Sequence, residues 1–81
     1  RDDALPVYVQ LQGAQVGKSG DRLSVKLKGE LLEEVRLHDV SQLCVFGNVQ
    51  VTTQAIQELA SRGLPVCYFT GGGWFHAMTA G

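Results

Sequence analysis

Four of the seven positive side chains, Lys18, Arg22, Lys26 and Lys28, fall within eleven residues. Same-face neighbours on an extended strand lie roughly 6.6–6.8 Å apart, close to the spacing of successive phosphates along a nucleic-acid backbone, so such a row could hold DNA without reading its sequence. The same four charges also fit a second description, a solvated face paired across a hairpin with Glu34 and nearby acids, which contributes little energy. Pattern alone leaves both open.

The remaining reactive residue types give less. Cys44 and Cys67 occupy matching places in two short apolar runs, which makes them candidate neighbours in space. As buried thiols without a cationic neighbour they act as small hydrophobic side chains. His38 beside Asp39, His76, and the acids Glu30, Glu33 and Glu34 show no H-x-E or C-x-x-C spacing, so no metal ligands are assigned. Gly71, Gly72 and Gly73 follow a strand, yet neither a helix start nor a Gly-Lys-Ser/Thr comes next, so a hairpin turn explains them better than a phosphate loop. No Ser/His/Asp or Cys/His arrangement is specified by local spacing, and we assign no catalytic, cofactor or metal residue.

Strands must position the basic row. Val7, Val9 and Leu11 alternate with Pro6, Tyr8 and Gln10, the period-2 pattern of a half-buried strand, and Pro6 suits its first residue or an edge. Gly13 permits a reversal, with Ala14 to Gly17 running back as a second strand, and Ser19, Gly20 and Asp21 turn the chain again. From Arg22 to Lys28, Leu23, Val25 and Leu27 face one way and Arg22, Ser24, Lys26 and Lys28 the other. Gly29 and Glu30 turn into an antiparallel partner at 31–37, where Glu33 breaks the phase and predicts a bulge or frayed edge. The runs Leu43–Phe46 and Val66–Phe69 read as buried strands. Between them lies a helix with Thr52 as N-cap, an apolar stripe of Ala55, Ile56, Leu59 and Ala60, and a stop at Gly63, Leu64 and Pro65. Strand, helix, strand implies a parallel crossover and hence a mixed sheet. Trp74 to Met78 reads as a last strand paired back as a hairpin.

Composition bounds these readings. Eighty-one residues make one domain, and 44 % hydrophobic with 19 % charged residues excludes long-range disorder. A net charge of −1 is too weak for tight nucleic-acid or anionic-membrane binding by the overall field, so any charge-based role is local. Two cysteines point to a reducing, cytoplasmic setting rather than a disulfide scaffold. No apolar run is long enough to span a bilayer.

Longer stretches then carry a resemblance: Leu5-Pro6-Val7-Tyr8-Val9-Gln10, Gly13-Ala14-Gln15-Val16-Gly17-Lys18, Cys44-Val45-Phe46-Gly47-Asn48-Val49-Gln50-Val51, and Arg62-Gly63-Leu64-Pro65-Val66-Cys67-Tyr68-Phe69 leading to Gly73-Trp74-Phe75. From about Leu5 to Gly81 the chain resembles the N-terminal β-domain of the CRISPR-associated spacer-acquisition integrase. The Arg1-Asp2-Asp3 lead-in looks like members fused to an Fe–S exonuclease. The resemblance implies a homodimer, double-stranded DNA partners (prespacer and CRISPR repeat), a small second CRISPR-associated subunit bridging two dimers, and Mg or Mn in a C-terminal helical catalytic domain absent from this sequence. It places the first hairpin, around Gln12, Gly13 and Ala14, near the DNA end, where some relatives carry an aromatic residue that stacks on the terminal base pair; Gln12 has no ring to stack.

The expectation is therefore an α/β, β-rich domain: antiparallel hairpins, one strand-helix-strand unit in a mixed sheet, and a closing hairpin. Residues 1–4 read as a linker from a preceding segment, 5–78 as the β-domain, and 79–81 as the start of a linker onward. The expected DNA contacts are Lys18, Arg22, Lys26, Lys28 and Gln12, on a portion that is inactive by itself within a metal-dependent DNA endonuclease and integrase. The competing expectation is a protein–protein interaction module that touches no nucleic acid.

Overall fold

A computed structural model of the chain describes residues 3–69 and 78–80. Its strands are β1 (Leu5–Val9), β2 (Gln15–Ser19), β3 (Arg22–Leu27), β4 (Glu30–Arg36), β5 (Val40–Phe46), β6 (Gln50–Val51), β7 (Val66–Phe69) and β8 (Met78–Ala80), and helix α1 spans Thr53–Ser61. They form two mixed four-stranded sheets, ordered β1-β5-β7-β8 and β4-β3-β2-β6. The α/β, β-rich architecture expected from the sequence is the one observed.

The alternation at 22–27 builds β3, antiparallel to β2 on one side and to β4 on the other. Leu27 pairs with Glu30, so the β3–β4 loop is Lys28 and Gly29, both at positive φ (52° and 82°), the backbone of a tight two-residue hairpin. Glu30 is thus a strand residue rather than half of the turn. Further along, the register shifts between Val25 and Lys26, because Leu31 faces Lys26 while Glu33 faces Val25 and Leu32 is the extra residue. That bulge has a hydrophobic cause. With it, Val35 lies opposite Leu23 on the buried face and Glu34 opposite Ser24 on the outer one; unshifted pairing would put Glu34 against Leu23.

The first reversal differs from expectation. β1 does not fold back on β2; it joins the other sheet, parallel to β5. The segment between them is tied instead to the stretch after β5, since Gly13 N donates to Asn48 O (2.6 Å) and the Gln12 side chain binds the same stretch. β5 offers β1 a longer apolar partner than the short β2 does. β6, which the sequence reading lacks, adds to β2 in parallel.

Helix α1 has the predicted ends. Thr52 Oγ1 accepts from Ala55 N (3.1 Å), while Leu64 N and Gly63 N donate to Leu59 O and Ala60 O, the paired bonds that close a helix C-terminus. Its crossover returns the chain to β7, parallel to β5, and β8 pairs antiparallel with β7. Of the expected last strand, residues 74–77 lie outside the described residues, as do His76 and the Gly71–Gly73 turn.

Val9, Val16, Leu23, Leu43, Val45 and Val66 from the two sheets and Ala55 and Leu59 from α1 form one core. The alternation gives each sheet an inner and an outer face. In the first sheet the outer face carries Tyr8, Cys44, Phe46, Cys67 and Phe69; in the second it carries Gln15, Arg22, Ser24, Lys26 and Glu34.

Candidate functional site

The four cations expected to form one row are divided by the fold. Arg22 and Lys26 share the outer face of β3 on either side of buried Ser24. Lys28 leaves the row, since the strand ends at Leu27 and Lys28 forms the hairpin tip. Lys18 lies opposite Leu23 and so follows the inner-face alternation of β2, where its Nζ is 3.9 Å from Glu58 Oε1 on α1. Glu58 also binds Arg62, at 2.7 Å from Nε. Among the described residues Arg22, Lys26 and Lys28 join no ion pair, and Glu34, the proposed acidic partner, faces Ser24 rather than a lysine.

One basic residue was missed. Arg36 lies directly opposite Arg22, widening the positive outer face across two strands. Counting back from the hairpin turn places Val35 there; only the bulge moves Arg36 into that position, and the sequence signal for it was the misplaced phase of Glu33. Arg36 also approaches Asp39, 3.5 Å from Nε to Oδ2.

Gln12 is exposed, but its side-chain amide is engaged by the backbone. Its Nε2 donates to Gln10 O and Phe46 O, each at 2.9 Å, and its Oε1 accepts from Asn48 N at 2.8 Å, so the side-chain amide fastens the Gly47–Asn48 turn at the end of β5. Gly47 has φ 72°, a backbone that favours glycine, and a Cβ there would lie 2.5 Å from Gln12 Oε1, so a side chain at 47 would displace the Gln12 amide from its bonds.

A second surface was not anticipated. The large exposed hydrophobic residues among the described ones are Leu5, Tyr8, Leu11, Leu31 and Leu32, all on or beside β1 and β4. These two are the edge strands of their sheets, and an open groove of about 410 Å³ runs between them, lined by Pro6, Tyr8 and Leu11 on one side and Val25, Leu32 and Glu33 on the other. The β4 bulge that sets Arg36 opposite Arg22 also supplies Leu32 to this groove. An apolar groove between unpaired edges has the character of a surface that a second protein surface can cover.

No group of three His, Cys, Asp or Glu side chains converges among the described residues, so they offer no ligand set for Mg or Mn. Among the described residues, too, no helix is long and apolar enough to cross a membrane.

An edge-rich mixed β-domain carrying these surfaces defines the class, and comparison with known proteins gives the family. Residues 7–81 match the family model of CRISPR associated protein Cas1, so the chain belongs to the Cas1 family. It is 40 % identical over 79 residues to a CRISPR-associated exonuclease Cas4/endonuclease Cas1 fusion of Geobacter sulfurreducens, covering 95 % of this chain and 14 % of that protein. Its fold resembles that of a TtCas1–DNA complex (TM-score 0.76, 18 % identity, 94 % of this chain and 25 % of that one) and of a Cas6-RT-Cas1–Cas2 complex (TM-score 0.79, 18 % identity, 94 % and 9 %). The chain therefore spans about a seventh of the curated relative it matches.

Proposed function

We propose that this chain is the domain through which a Cas1-type integrase pairs with its twin and braces the end of captured duplex DNA, in the insertion of foreign DNA into the CRISPR array. The observation that carries the reading is the concentration of exposed apolar side chains on or beside the two unpaired edges, β1 and β4, of which Tyr8, Leu11 and Leu32 line one groove. Burying them against a second copy would remove apolar surface from water at roughly 25 cal/mol per Å². The open cations Arg22 and Lys26, with Arg36 opposite, supply the duplex contact on the adjoining face of β3 and β4.

Integration chemistry belongs, in this reading, to the part of the parent that this chain does not cover. Mg or Mn would be held there, and the 81 residues alone are inactive. The parent acts in the cytoplasm on prespacer and repeat DNA together with a small second subunit. Solved relatives described as a Cas1–DNA complex and a Cas1–Cas2 complex support those two partners.

The test uses the full-length protein. Light scattering is expected to give a dimer, and Tyr8→Glu with Leu32→Glu to shift it to monomer at micromolar concentration without changing the far-ultraviolet spectrum. An unshifted dimer removes the groove from the interface. The apolar groove also fits a pure interaction module, and a dimer that ignores a short duplex at low salt selects that alternative.

A further inference from the structure

Cys44 and Cys67 lie directly opposite each other on β5 and β7, on the outer face of the first sheet, and both are free thiols. Neighbouring strands stand about 4.8 Å apart, inside the Cα–Cα range of roughly 4.4–6.8 Å that a disulfide spans. Cys44 is buried and Cys67 only half-buried, so Cys67 is the more accessible of the two residues to a small reagent. Nothing in the proposed DNA or dimer surfaces uses either one.

We propose that Cys44 and Cys67 form a dithiol–disulfide site, closed by exchange with a small-molecule disulfide. The Cys67 thiolate attacks one sulfur of the reagent, forming a mixed disulfide and releasing one thiol. Cys44 then loses its proton and attacks Cys67 Sγ, joining β5 to β7 and releasing the second thiol. Two protein thiols are oxidised and one reagent disulfide is reduced to two thiols, so electrons and protons balance. Burial first, and then the neighbouring Cys67, push the Cys44 thiol up, which makes it the second thiol to react rather than the first. The bond would close the segment that carries β6 and α1, tethering the helix crossover to the centre of the sheet.

The experiment treats the folded full-length protein with oxidised glutathione, blocks remaining thiols with an alkylating reagent, and maps the products by mass spectrometry. Tryptic cleavage after Arg36 and Arg62 leaves the two cysteines on different peptides, so the disulfide appears as one cross-linked pair lighter by two hydrogen atoms than the sum of its parts. Expected are that pair in the native sequence, a stable glutathione adduct on Cys67 in Cys44→Ser, and no adduct on Cys44 in folded Cys67→Ser. The unfolded protein, treated in parallel, shows that both sulfurs can react. A glutathione adduct on Cys67 that persists in the native sequence, full alkylation of both thiols, or a disulfide between two protein chains overturns the proposal.

Discussion

Gln12 shows how one exposed side chain can serve the frame of the fold. Its amide uses both donors and its oxygen on backbone atoms from two segments, joining the end of β1 to the turn that follows β5. Gln12→Ala is expected to cost about 1–2 kcal/mol, read as a lower urea midpoint with an unchanged slope. A second test at this scale concerns acidity. Burial and Cys67 hold the Cys44 thiol above its ordinary value of 9.0, so the folded chain keeps a proton that the unfolded chain has lost. The stability from this group is complete below 9.0 and is lost as pH rises through the higher folded value. Unfolding at a series of alkaline pH values should show a steeper decline for the native sequence than for Cys44→Ser.

At the scale of elements, β3 decides which cations are available. Arg22 and Lys26 project outward and unpaired, Lys28 caps the hairpin, and Lys18 is directed toward Glu58 of α1. Replacing Lys26 and Lys28 together by Ala in the full-length protein is expected to weaken duplex binding and lower its salt slope by up to about two. Lys18→Ala should change the slope less, because that charge is already partly offset by Glu58. Salt titration of duplex affinity separates the two variants; equal slopes in all three proteins would remove DNA from this strand. The sequence showed the strand, its two faces and the broken phase at Glu33. It could not show the register, because the bulge that moves Arg36 opposite Arg22 is decided by whether Val35 or Glu34 enters the core.

Across the whole molecule, the two sheets and α1 depend on one another. Leu59 is fully buried in a core to which both sheets contribute. Leu59→Ala is expected to destabilise by about 2–5 kcal/mol, and strand and helix signals should still be lost in a single transition. Separate transitions would show that the sheets hold independently. Local signals fixed much of this arrangement in advance: alternation for β3, the Thr52 cap and Gly63 stop for α1, and the parallel β5–α1–β7 unit each depend on residues close in sequence. The partner of β1, the separation of Lys18 from Arg22 and Lys26, the clasp at Gln12 and the groove between β1 and β4 came only with the folded chain. Apart from the Lys18 separation, which the short β2–β3 hairpin sets by placing Lys18 opposite Leu23, each is a pairing between segments far apart in sequence, chosen by which apolar faces the single core can bury together, and no local pattern encodes that choice.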